Sequence, residues 1–133
     1  AGDIGSLDIY DKLTKLSDVK AVYGNIDDHK IRIGLKSELF FKCEGVNIYM
    51  THIGGYPGKY SKGIKEKIEK TNPNIFICGH SHILKIMNDK KNKLLFLNPG
   101  AAGNHGVHKV KTIIKFDIDD KKIRNLKIIE LKR

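Results

Sequence analysis

The sequence predicts an α/β (α+β) fold, a sandwich of mixed β-sheets with helices on the outside. Three observations lead there. Most apolar segments are short runs bounded by glycine, proline or asparagine, and only two stretches carry clear helical periodicity. Helical stretches lie between apolar runs in the first half of the chain, whereas polar turns join such runs in the second half. Finally, 40% of the 133 residues are apolar and 30% are charged, which suits a packed core and argues against wholesale disorder. A chain of this length buries somewhat under ~70% of its unfolded surface, enough for one core and not two. Residues 1–133 are therefore expected to form one domain.

The elements follow in order. Ala1-Gly2-Asp3-Ile4 has the character of a strand exit, so a preceding segment is expected. Ser6 caps a helix to Leu16, with Leu7, Tyr10, Leu13 and Leu16 at i+3 on one side. Residues 19–23 make a short apolar strand that stops at Gly24-Asn25. Residues 39–43 and 46–50 form a hairpin around Glu44-Gly45, and His52 follows at once. Residues 53–58 are too rich in glycine and proline to be regular. A helix is expected over 61–71, with Ile64 and Ile68 one turn apart, ended by Asn72-Pro73. Residues 75–78 are continuously apolar, as befits a strand buried on both faces, and Gly79-His80-Ser81-His82 is its exit loop. Residues 83–87 and 94–97 flank a polar turn, and 98–103 are a small-residue loop. Thr112, Ile114, Phe116 and Ile118 share one face of the next strand. The last strand, 123–131, breaks parity near Ile128-Ile129, where a bulge is expected.

Twenty-five Lys and Arg against 15 Asp and Glu leave a formal charge of +10, which favours anionic partners without selecting one. The lysines are spread over the whole chain, with no RNP-like aromatic run, GXXG loop or zinc-finger spacing, and Tyr56 and Tyr60 make no stacking platform. Lys65, Lys67 and Lys70 are read as the wet face of a helix. Nucleic acid is thus expected only as a substrate. No apolar run approaches the ~20 residues that cross a membrane, so no membrane partner is expected. Cys43 and Cys78 have no CxxC spacing, which excludes a disulfide scaffold and suits a reducing, cytoplasmic compartment.

Asp3, Asn25, Asp27, His52, His80 and His82 stand just beyond expected strand ends. Loops at the carboxyl ends of strands share one rim in layered α/β proteins. Such a set makes an oxygen- and imidazole-lined metal site, suited to Mn2+, Fe2+, Zn2+ or Ni2+. His80 and His82, at i and i+2 on an extended loop, can face two neighbouring ions, one each. Two ions about 3.5–4 Å apart form a clamp for displacement at phosphorus. Ser81 is a spacer, since no Ser-His-Asp partner is visible.

Gly2-Asp3, Gly24-Asn25-Ile26-Asp27, Thr51-His52, Gly79-His80-Ser81-His82 and Asn98-Pro99-Gly100 resemble, in order and spacing over residues 1–118, the calcineurin-like metallophosphoesterases. Within them the chain is similar to the small single-domain phosphodiesterase branch that includes the scaffold subunit of retromer. The resemblance implies a sandwich of two mixed β-sheets flanked by helices. It also implies a phosphodiesterase with two divalent ions, Mn2+ first, with Ni2+, Fe2+, Zn2+ or Mg2+ as alternatives. By the same resemblance Asp3 bridges both ions, Asn25, His52 and His80 complete one shell, and His82 belongs to the other. A metal-bound hydroxide would attack phosphorus while Asn25 and His52 stabilise the equatorial oxygens. Asp27 would orient the Gly24-Asn25 loop, and residues 98–100 would line the same rim.

Two departures stand out. The family opens with a strand ending in Asp-x-His, and nothing precedes Ala1 here, so the domain is expected to be N-terminally incomplete. Ile26 stands where many members have histidine or cysteine, and it has no proton to give. His29, His105 or His108 are the nearby groups that could take that part, and a phenolic leaving group would feel its absence least. The alternative reading is a catalytically silent scaffold on the same fold. The exposed candidates Phe40 and Phe41 leave room for a homodimer.

Overall fold

A computed structural model describes residues 1–133. The first half of the chain gives α1 (Leu7–Leu16), α2 (His29–Gly34), β1 (Glu38–Cys43), β2 (Val46–Thr51), β3 (Gly55–Tyr56), β4 (Lys59–Tyr60) and α3 (Ile64–Thr71). The second half gives β5 (Ile75–Ile77), β6 (Leu84–Asp89), β7 (Leu94–Pro99), β8 (Val110–Asp119) and β9 (Lys122–Lys132). A five-stranded mixed sheet runs β1-β2-β5-β7-β6. β2, β5 and β7 are mutually parallel at its centre, and the antiparallel β1 and β6 close its edges. The mixed α+β class expected from the sequence is therefore present. Its second layer is a two-stranded antiparallel ribbon, β8 with β9.

Alternation along the central strands divides the core in two. On one face Tyr49, Phe76, Cys78, Leu94 and Phe96 pack with Ile64 and Ile68 of α3. Tyr49 stacks between Phe40 and Phe76 with centroids 4.2 and 4.9 Å away, contacts that add to simple area burial. On the other face Val46, Ile48, Ile75 and Leu97 meet Ile114, Phe116, Ile118, Ile123 and Leu126 of the ribbon. β5 is as buried as its continuous apolar run requires, with Ile75 and Phe76 fully enclosed.

The differences from expectation have local causes. Residues 19–23 form no strand and contribute only an isolated parallel bridge, Val22 to Lys36. The helix expected from residue 61 starts at Ile64, behind Gly63 in the left-handed region (φ +79°). Residues 53–58 are not irregular throughout: β3 and β4 form a small hairpin, anchored by Tyr60, whose hydroxyl donates to Asp89 at 2.6 Å. The parity break in β9 falls at Asn125 (φ +52°), not at Ile128-Ile129. There the Asn125 amide donates to Asp117 at 2.8 Å. Helix α2, capped by Asp28 on Ile31 N–H, is an addition to the expected set. No helix is long and apolar enough to cross a membrane.

Burial pushes the Cys78 thiol up from its ordinary 9.0 to about 11, whereas Cys43 is exposed. A disulfide-exchange reagent at pH 8 should therefore titrate one thiol in the native protein and both after unfolding. The unfolded chain releases this proton at the ordinary value and the folded chain only near 11. The stability so held is complete below about pH 9 and falls as the pH rises towards 11. A second fast thiol at pH 8 would contradict the buried placement.

Candidate metal centre

The parallel strands place their carboxyl ends on one rim. His52 leaves β2 there, Gly79-His80 follows β5, and Asn98 closes β7. Backbone bonds tie these exits together. Gly79 N–H donates to the His52 carbonyl at 3.0 Å. The Asn98 amide donates to the Gly79 carbonyl at 2.8 Å and to the Ser81 hydroxyl at 3.1 Å, while its oxygen accepts from Gly100 N–H. Residues 1–5 and 24–27 approach the same rim from the other side, and Gly24 is required there because a Cβ would collide with Asp3.

Four side chains meet. Asn25 Oδ1 lies 2.9 Å from His52 Nε2 and 2.9 Å from His80 Nδ1. Asp3 Oδ2 is 3.3 Å from His52 Nε2. The two imidazoles stand edge to face with centroids 5.1 Å apart. His52 is buried, Asp3 half-buried, and Asn25 and His80 are open to solvent. His52 Nδ1 sits 2.8 Å from the Ala1 carbonyl, to which it can only donate. The neutral ring then presents a lone pair at Nε2. Three electron-pair donors, Nε2, Asn25 Oδ1 and Asp3 Oδ2, therefore face one another, an arrangement that a proton or a metal cation reconciles. Donors about 2.1 Å from one six-coordinate ion stand about 3 Å apart, and these contacts span 2.9 to 3.3 Å. The donor set fits a cation. His, Cys, Asp and Glu side chains alone do not gather in threes tightly enough to hold an ion, because the atom joining the two rings is the Asn25 amide oxygen.

Asp27 does not face this cluster. Its buried carboxylate accepts from Gly24 N–H at 2.7 Å and Gly5 N–H at 3.0 Å, fixing the loop that carries Asn25 against the segment that carries Asp3. Arg32 of α2 completes the brace, donating to the carbonyls of Asp27, Gly24 and Asn25 at 2.7, 3.2 and 2.8 Å. Sequence reasoning missed Arg32, since α2 is too short to show a period. Asp3, His80 and His82 all have positive φ (55°, 66° and 56°), a conformation costing roughly 1–2 kcal/mol per L-residue. Such strain persists where the surroundings enforce it.

His82 is half-buried and makes no hydrogen bond to the other four. Ile26 is 69% exposed between Asn25 and Asp27. His108 Nε2 accepts from Leu84 N–H at 2.9 Å and so anchors the start of β6. His29 is the first residue of α2, and His105 lies exposed in the loop before β8.

The family model of the calcineurin-like phosphoesterase superfamily domain matches residues 1–121. No curated protein sequence matches the chain. Among solved structures, an archaeal phosphodiesterase superposes with a TM-score of 0.74 at 20% identity, over 98% of this chain and 79% of that one. Wild-type Vps29 of Entamoeba histolytica, complexed with zinc, gives 0.72 at 21% identity, over 98% and 78%. Vps29 of Chaetomium thermophilum gives 0.71 at 17% identity, over 98% and 74%. At these identities the likeness establishes the fold and leaves the chemistry to the site.

Proposed function

Because the chain belongs to the calcineurin-like phosphoesterase superfamily, we propose that it is a phosphodiesterase that works with divalent metal ions at this rim. The observation that carries the reading is the meeting of four residues from separate segments, with Asn25 2.9 Å from both His52 and His80, and Asp3 3.3 Å from His52. In this reading Asp3, Asn25, His52 and His80 would hold one ion, and His82 would help to hold a second. Divalent ions bound there supply Lewis-acid charge to the phosphoryl oxygens and an activated water at neutral pH. The chain does the rest. The Ala1 carbonyl fixes the His52 tautomer, Asp27 and Arg32 fix the Asn25 loop, and Asn98 fixes the loop of His80. Ile26 offers no proton, so the best substrates have leaving groups of low pKa, phenols above all.

A second reading, a protein-binding scaffold on the same fold, is favoured by Ile26, which stands exposed beside Asn25 and has no proton to give to a leaving group. One experiment separates the two. Protein stripped with chelator is assayed for metal uptake by calorimetry and for hydrolysis of bis-p-nitrophenyl phosphate. The enzyme reading expects turnover to return with Mn2+. No turnover with Mn2+, Ni2+, Zn2+ or Mg2+, together with no metal uptake, leaves the scaffold.

A further inference from the structure

Beside His80 the rim opens into a cleft of ≈ 230 Å3. Lys85 and Asn98 are register partners across β6 and β7, so their side chains project from the same face of the sheet. Phe96, two residues before Asn98, projects from that face as well and also borders the cleft. Ile53, Tyr56 and Ile83 form its apolar walls, each more than two-fifths exposed and free of core packing duty. Tyr56 is held at the lip by the β3–β4 hairpin, which Tyr60 anchors to Asp89. Lys85 Nζ rests 4.1 Å from the centroid of the Tyr56 ring, a cation–π contact. Apart from His80, Lys85 is the only basic residue on the cleft, and no acidic residue borders it.

We propose that this cleft is a subsite for one flat aromatic arm of the phosphodiester, the arm retained after hydrolysis. The proposal rests on the phosphodiesterase reading and names the class of substrate that this reading leaves open. Size supports it: an apolar cavity of about 150 Å3 admits a benzene ring, so ≈ 230 Å3 takes one ring system with its linking oxygen. Position supports it, because His80, Gly79 and Asn98 belong both to the cleft and to the metal-centre rim. Polarity selects the retained arm. A departing oxygen would develop charge against Ile53, Ile83 and Phe96, whereas the retained arm adds none. The Lys85 charge draws the phosphodiester anion to the same mouth.

The test compares pairs that differ only in the arm. Dissociation constants for phenylphosphonate and methylphosphonate are measured by calorimetry on Mn2+-loaded protein. In parallel, kcat/KM is measured for p-nitrophenyl phenyl phosphate and p-nitrophenyl methyl phosphate, which share a leaving group. The five additional ring atoms are expected to favour the phenyl member of each pair by about 10-fold. Tyr56→Ala should collapse both phenyl-to-methyl ratios towards one, and Tyr56→Phe should keep them. Lys85→Met should weaken both phosphonates alike and leave their ratio standing. Equal binding of the two phosphonates by the wild type, or a ratio that survives Tyr56→Ala, overturns the subsite. If neither ester turns over while the phosphonate preference persists and falls with Tyr56→Ala, the aromatic cleft stands and the phosphodiesterase reading fails.

Discussion

Replacing His80 by alanine is expected to lower Mn2+-dependent hydrolysis of bis-p-nitrophenyl phosphate by roughly 100–1,000-fold, the scale of losing one preorganised electrostatic contact. The imidazole is exposed and its Nδ1 points at Asn25 Oδ1, 2.9 Å away. Little packing is lost with it, so the variant should stay folded and the loss should appear as lowered metal affinity and rate. The backbone supplies an internal control. Residue 80 sits at φ +66°, and alanine inherits that strain of roughly 1–2 kcal/mol, whereas glycine does not. His80→Gly should therefore match His80→Ala in lost turnover while unfolding at the same or a higher urea concentration. Full rate together with full metal content in either variant would remove His80 from the metal shell.

Much of the fold is legible because burial is one-sided or complete where the sequence signal is strong. Thr112, Ile114, Phe116 and Ile118 alternate, and all but Thr112 appear in the core layer shared with the central sheet. Ile75 and Phe76 are fully buried, so no polar residue interrupts the run. The signal fails where burial fails. Ile128 and Ile129 are 46% and 37% exposed, so nothing there pins one face inward, and the real bulge at Asn125 is set by a hydrogen bond to Asp117. The β3–β4 hairpin hides in a glycine-rich stretch because Gly55 and Gly58, at φ +72° and +91°, make the turn that their composition only suggests.

The site is legible as a list and illegible as a shape. A polar residue directly after a buried strand marks a rim position, and that rule finds His52 and His80 without any structure. It cannot show that Asp3, His80 and His82 turn through the left-handed region, which sequence propensity reserves mainly for glycine. It is also blind to Arg32, whose partners are three backbone carbonyls, and to Lys85, whose place beside Asn98 follows only from the β6–β7 register. Asp27 falls between. The residue is plain in the motif, but its carboxylate serves the backbone of Gly5 and Gly24, away from the donor cluster.

That placement makes Asp27→Ala the variant with the largest expected cost in stability. Asp27 is 4% exposed, and its carboxylate accepts two backbone N–H groups. Deleting it leaves both without a partner, at about 1–3 kcal/mol each, so about 2–6 kcal/mol should be lost in equilibrium urea unfolding. Asp27→Asn keeps one acceptor oxygen and turns an N–H donor towards another, so its loss should fall between wild type and alanine. Because the Gly24-Asn25 loop is released, the affinity for Mn2+ should drop about 10–100-fold, as when the support of a metal ligand is removed. A positioning residue and a ligand part company at saturation. Excess Mn2+ should restore most of the turnover of Asp27→Asn and little of that of His80→Ala. If Asp27→Asn resists rescue while binding Mn2+ as tightly as the wild type, its carboxylate acts on the substrate directly, and the bracing role derived from Gly5 and Gly24 is wrong.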